Sequence, residues 1–232
     1  ISFTFTEKGL YEIRGYAMDS SGNTTDRKSG KYSIYDSINC GEASISANVN
    51  ENTWTNKTVN LDITVPSNTY RYEVSSRVNN GAYSLINSYI GSSSNTISLE
   101  KDGNNEVKVV AYDQNGGSCT ISSGVYKIDK TPPYNLTVTN NPGCVTRPTT
   151  ISPVLSATET GSGIAKWQWG YSTTDMHDYE NSAYSPFTST PYSEVRNQLS
   201  YFRACDKAGN CSNFASTTIC IQNPADNPSV SK

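Results

Sequence analysis

Three stretches of this chain share one pattern, and their spacing constrains the fold more than any other feature. The first runs Tyr11-Glu-Ile-Arg-Gly-Tyr-Ala-Met-Asp19-Ser-Ser-Gly22-Asn23. The second is Asn105-Glu-Val-Lys-Val-Val-Ala-Tyr-Asp113-Gln-Asn-Gly116-Gly117, and the third Ser200-Tyr-Phe-Arg-Ala-Cys-Asp206-Lys-Ala-Gly209-Asn210. Asp19 and Asp113 lie 94 residues apart, Asp113 and Asp206 93. A period of that length is a domain, not a solenoid turn.

Each copy reads as a strand, a tight turn and a returning strand. Ahead of the Asp, apolar and polar residues alternate (Val107, Val109, Ala111), as in a half-buried strand. The Asp accepts from backbone N–H groups two or three residues on, and the Gly with its follower supplies the left-handed positions of a hairpin turn. Returning strands are predicted over 31–35, 125–128 and 217–221. The second leads into Asp129-Lys-Thr-Pro-Pro133, a stiff extended segment suited to a junction.

Further short strands are predicted over 43–49, 58–65, 70–75, 83–86 and 96–99 in the middle copy. In the last copy they fall over 134–139, 150–157, 164–171 and around 184–188. About seven short strands in roughly 93 residues, with no helical periodicity, give an all-β chain of tandem immunoglobulin-like β-sandwich domains. The boundaries expected are 1–38 for the C-terminal strands of a truncated domain, 39–130 and 131–223 for complete domains, and 224–232 for a linker or tail.

Composition agrees and excludes several classes. Ser, Thr and Asn make up 82 of 232 residues while charged residues are 17%, a polarity common on secreted all-β proteins. Lys and Arg number 18 against 21 Asp and Glu, so there is no basic excess for nucleic acid. No apolar run approaches the roughly 18 residues of a membrane helix. Ile1 opens the chain without a charged and apolar leader, so any secretion signal is expected outside it.

The pattern Ala-x-Asp-x-x-Gly-Asn, then a strand and Asp-Lys-Thr-Pro-Pro, resembles the bacterial immunoglobulin-like repeats of Gram-positive cell-surface proteins. Asp206-Lys-Ala-Gly-Asn210 and Asp129-Lys-Thr-Pro-Pro133 are the nearest matches, and Gly117 in place of Asn is a departure. The resemblance spans essentially the whole chain. It implies an extracellular, cell-surface location, and neighbouring domains of the same kind in one chain. It leaves the ligand open, because such repeats serve as stalks, spacers, adhesin tips and accessory modules of enzymes.

Six cysteines with one His and no C-x₂-C pair favour disulfides over zinc or redox chemistry. Small buried thiols are the alternative. On the sandwich, Cys40 at the start of the first strand and Cys119 at the start of the last share one pole. Cys144, placed in the first turn of the last copy, shares the other pole with Cys220, and Cys205 and Cys211 bracket the final turn. The pairs expected are Cys40–Cys119, Cys144–Cys220 and Cys205–Cys211, none crossing the core between sheets.

No nucleophile stands beside a base, and no cofactor is called for. The lone His177 lies in Thr174-Asp-Met-His-Asp-Tyr-Glu180. Asp175, His177, Asp178 and Glu180 could be read as metal ligands, but the spacing fits no metal pattern and a solvated loop is the plainer reading. Likewise the Asp turns lack the alternating acids of a calcium loop. Lys108 is a candidate for a Lys–Asn crosslink by position, but alternation with Val107 and Val109 points it outward.

Aromatic residues remain. Trp167, Trp169 and Tyr171 alternate along one strand and share a face. An exposed face would be a platform for stacking on sugar rings; a face turned to the other sheet would be core, the reading favoured for Trp169. Tyr70 and Tyr72 allow the same two readings, and Trp54 reads as a lid over the middle core. Trp167, Tyr171, Tyr179 and Tyr184 are therefore the candidate stacking residues, near a long loop over 172–193. Two functions follow: a non-catalytic stalk or spacer, or an adhesin-like or carbohydrate-binding module whose last domain meets a host or cell-wall glycan or protein.

Overall fold

The computed structural model describes residues 2–34, 36–146, 148–179, 187–189 and 196–223, with backbone alone at 187–189 and 196. A hairpin of β1 (Gly9–Gly15) and β2 (Lys28–Ile34) opens the chain. Then come β3 (Ser44–Ala47), β4 (Trp54–Thr55), β5 (Val59–Thr64), β6 (Arg71–Val78), β7 (Ser84–Ile90), β8 (Asn95–Leu99), β9 (Gly103–Tyr112), β10 (Ser118–Ser122) and β11 (Tyr126–Ile128). Past the Pro pair follow β12 (Tyr134–Thr139), β13 (Cys144–Thr146), β14 (Thr149–Ile151), β15 (Val154–Thr158) and β16 (Ile164–Gly170). The last four are β17 (His177–Tyr179), β18 (Phe187–Ser189), β19 (Arg196–Asp206) and β20 (Ala215–Gln222). The fold is all-β, in tandem immunoglobulin-like sandwiches.

Two compact units divide these strands. The first holds Ile1–Asn50, Val59–Leu99 and Asn105–Val125; the second holds Glu51–Thr58, Glu100–Asn104 and Tyr126–Lys232. In the first unit β5 lies between β3 and β8, while β6 pairs with β7 and β9, and β10 folds back on β9, all antiparallel. Val59, Leu61 and Ile63 of β5 alternate buried with exposed neighbours, and Val107, Val109 and Ala111 of β9 alternate buried with half-buried ones. With Tyr72, Val74, Ile97 and Leu99 they form the core between the two layers.

In the second unit a five-stranded sheet runs β13-β20-β19-β16-β17, with β12-β15 and β14-β18 as smaller pairs. Its core is Ile151, Leu155, Tyr179, Phe202, Ile219 and Ile221, with Val138, Val145, Trp167 and Trp169 packed against it. The segment expected as one strand over 150–157 is two strands, β14 and β15, separated by Ser152-Pro153. Proline has no N–H to continue a ladder. Cys144, expected in a turn, sits on β13 directly opposite Cys220 in a parallel pair. Trp54, expected as a lid, is on β4, half-buried and paired in parallel with β11.

The three repeated turns share one hydrogen-bond scheme. Asp19, Asp113 and Asp206 each donate N–H to the carbonyl four residues on, at 3.0, 3.0 and 2.9 Å. Gly22, Gly116 and Gly209 have φ of 85°, 86° and 97°, the left-handed geometry that closes each turn. The β1–β2 hairpin differs in burial, with Leu10 70%, Met18 65% and Tyr32 54% exposed.

Candidate functional site

The candidate stacking residues are divided by the pleat of β16. Trp167 and Trp169 face the core and pack on it, whereas Gln168 between them is buried on the other face of the sheet. Tyr171, just past the strand, is 41% exposed and meets Trp169 edge-on at 5.2 Å. Tyr179 is 4% exposed: it packs edge-on against Phe202 and its hydroxyl donates to the Pro153 carbonyl at 2.6 Å. Burial raises its pKa above the usual tyrosine value. A ring enclosed in that way has no face left for a sugar, so of the described candidates Tyr171 is the most open. Tyr184 lies outside the described residues. In the first unit Tyr70 is 51% exposed, and Tyr72 is fully buried with its hydroxyl donating to the Ser93 carbonyl at 2.9 Å.

The outer face of the same sheet is a polar network. Gln168 donates to Asp178 at 3.0 Å and accepts from Arg203 at 2.8 Å, while Lys166 pairs with Asp178 at 3.2 Å. These contacts, Gln168 first, hold the Asp178 carboxyl below the ordinary range. Arg203 also lies over the Phe214 ring at 5.6 Å. Asp178 is thereby engaged on the sheet. His177 Nε2 is 3.7 Å from Asp175 Oδ1, and Glu180 is outside the described residues, so the four are not seen to converge on a metal.

Lys108 holds its Nζ 4.7 Å from the Tyr83 ring centroid, on the face where Arg77 forks onto Glu106 at 3.1 and 2.8 Å. Its charge is engaged with that ring.

The six cysteines form three bonds: Cys40–Cys119, Cys144–Cys220 and Cys205–Cys211, spanning 79, 76 and 6 residues. Cys40 begins a short 3-10 turn (Cys40–Glu42) and Cys119 lies on β10. Cys144–Cys220 joins neighbouring strands of one sheet, and Cys205–Cys211 clips the two sides of the last repeated turn.

One cluster was not anticipated from the sequence. Asp129, Glu159 and Asp206 each bring a carboxylate oxygen to within 4.8 Å of the others. Asp129 and Asp206 are 1% and 3% exposed. Oxygen donors of this kind suit a hard cation such as calcium. Their oxygens are already engaged: Asp129 accepts from Thr131 and Ser162, Asp206 twice from Asn210, and Glu159 from Gly161. Asp129 and Asp206 are both motif residues, but nothing in the sequence states that the junction and the last turn meet.

No family model and no curated protein matches this chain. Among solved structures it is similar to fibronectin(III)-like modules of Clostridium thermocellum CbhA, at 16% identity and TM-score 0.37, covering 78% of this chain and 95% of that one. A tetra-tandem repeat in the extending region of a large adhesion protein matches at 19% identity and TM-score 0.39, covering 91% and 57%. A 1.5-MDa bacterial ice-binding adhesin matches at 13% identity and TM-score 0.33, covering 94% and 76%. Scores this low add nothing to the strand order, on which the fold rests.

Proposed function

We propose that this chain is a non-catalytic structural repeat module, a stalk or spacer in an extracellular bacterial surface protein or fibre. The observation that carries the reading is the turn built three times with the same backbone bonds at a domain-length period. Three disulfides support an oxidising, extracellular setting, and among the described residues no helix is long and apolar enough to cross a membrane. Residues 1–38 are read as the closing strands of another copy, because their hairpin repeats the turn and its bonds. The domain limits 39–130 and 131–223 belong to the same proposal.

A recognition role for the last sandwich rests on Tyr171, whose ring stays open. Two measurements decide between these readings. An antibody to this chain is expected to label intact source cells without permeabilisation, and a glycan array is expected to show no specific binding. Label only in permeabilised cells overturns the surface reading. A glycan hit abolished by Tyr171→Ala moves the function to recognition.

A further inference from the structure

A cavity of about 480 Å³ opens in the first unit, within the roughly 300–1,000 Å³ that small ligands use. Thr69 and Tyr70 before β6, Ile90 at the end of β7 and Asp113 after β9 line it, with Lys8 and Asp36 of the opening segment. All of these belong to that one unit. The walls are tied down. Tyr70 N–H donates to the Tyr112 carbonyl at 2.8 Å, and Gly91 N–H to the Tyr70 carbonyl at 2.7 Å. Asn68 Nδ2 donates to the Asp36 and Ser37 carbonyls at 3.1 and 3.3 Å. A pocket held by its own backbone needs little ordering when a ligand arrives.

Several of its groups have unused capacity. Asp113 is 7% exposed, and its Oδ1 accepts from the N–H groups of Asn115 and Gly117, both at 2.8 Å. In the sister turns an asparagine amide covers the other oxygen: Asn23 Nδ2 donates to Asp19 Oδ2, and Asn210 Nδ2 to Asp206 Oδ2. Gly117 has no amide to give, and among the described residues no cation pairs with Asp113. A buried carboxylate in that state favours a positive partner. Thr69 is 6% exposed, and its hydroxyl has no hydrogen-bond partner among the described residues. Tyr70 is 51% exposed. Elsewhere in this unit cations lie over tyrosine rings, Arg71 over Tyr112 at 3.8 Å and Arg77 over Tyr83 at 4.8 Å. Among the described residues none lies over Tyr70.

Charge decides the class of ligand. Lys8 and Asp36 pair with each other, so the charge left at the cavity is that of Asp113. An anion is repelled by it, and a neutral sugar leaves it uncompensated. Ile90, 85% exposed, adds apolar surface beside the polar groups. We propose that this cavity takes an organic cation, a guanidinium or primary ammonium group on an aliphatic stem. The Asp113 carboxylate is its counter-charge, the Thr69 hydroxyl a further acceptor, the Tyr70 ring a cation–π face and Ile90 a cover for the stem. The site stands on these groups alone and holds equally for a spacer and for a recognition module.

The test titrates the full chain, isotope-labelled, with agmatine and with acetyl-arginine N-methylamide, and follows backbone amide shifts. Saturable shifts are expected at 67–70, 90–91 and 113–117, and the tighter probe tells a free amine from a peptide side chain as the source. N-Butylurea, a neutral counterpart of the guanidinium, is expected to bind about tenfold more weakly. Asp113→Asn is expected to weaken agmatine about tenfold and Tyr70→Ala about threefold. Gly117→Asn supplies the sister turns' amide and is expected to weaken agmatine about tenfold in a folded chain, which keeps the test open if Asp113→Asn disturbs folding. No saturable shift with either cation in the unaltered chain overturns the site. So does equal binding of N-butylurea, and so does agmatine binding that neither Gly117→Asn nor Tyr70→Ala weakens. A methyl glucoside that shifts the same amides while agmatine shifts none overturns the cation in favour of a sugar. None of these outcomes depends on cell-surface labelling or on Tyr171, so this site and the spacer role fail separately.

Discussion

Gly117 stands where the other two turns carry Asn23 and Asn210. Those asparagines donate from Nδ2 to the carboxylate of their own turn, Asn23 to Asp19 and Asn210 to Asp206, both at 2.8 Å. The amide of Asn23 is also what holds the Asp19 carboxyl below its usual range. Asp113 lacks that bond, and its carboxylate accepts from the N–H groups of Asn115 and Gly117. A Cβ on Gly117 would lie 2.4 Å from Asp113 Oδ2, the movable end of a side chain. Gly117→Asn is therefore expected to turn that carboxylate and restore the missing bond. The bond and the loss of glycine's freedom in the unfolded chain together favour the fold by roughly 1 kcal/mol. A urea melt of the chain reads this as a later midpoint for the first unit; an earlier midpoint would mean that Asp113 is too tightly held to turn. Turn chemistry of this kind is local, which is why the three aspartates could be read straight from their neighbours. The meeting of Asp129, Glu159 and Asp206 is not local, and no spacing announces it.

At the scale of elements, what could be read depended on length. β5 and β9 alternate over six and ten residues, and their alternation was visible in the letters. β4 and β13, of two and three residues, have no period to read and exist through parallel pairing with β11 and β20, strands more than seventy residues on. The same pairing decides which face a residue takes: β16 shares its pleat with β19, so Trp167 and Trp169 pack on the core that Phe202 helps to build. Strand order also sets the worth of each disulfide. Cys40–Cys119 and Cys144–Cys220 close loops of 79 and 76 residues, Cys205–Cys211 one of 6. On the chain-entropy account, replacing either long-loop pair by Ala costs roughly 4 kcal/mol and replacing the clip roughly 2 kcal/mol. Thermal melts of the three double variants are expected to keep that order. A clip variant that falls as far as the long-loop variants would show the Cys205–Cys211 bond acting through the native turn and not through the unfolded chain.

Across the whole molecule, the cores are sealed by tyrosines that must stay neutral. Tyr72 in the first unit and Tyr126 and Tyr179 in the second are 0%, 3% and 4% exposed. Burial raises the pKa of all three, outweighing for Tyr72 the opposing bond from Asn95. An unfolded tyrosine ionises near about 10, and the folded chain resists that loss of a proton. The sign follows: the stability these groups contribute is fully present below about pH 10 and is lost as pH rises through their raised folded values. Both units hold such a residue, so both are expected to weaken over one alkaline range. Brief thermal melts from neutral to alkaline pH should show a flat midpoint and then a fall. Tyrosinate absorbance from Tyr72, Tyr126 and Tyr179 should appear only with unfolding. Tyr72→Phe, which removes the ionising hydroxyl, is expected to shift the alkaline fall of the first unit upward. Full tyrosinate absorbance in a chain that still melts at its neutral-pH midpoint would show that water reaches these rings, and the alkaline limit would then lie elsewhere.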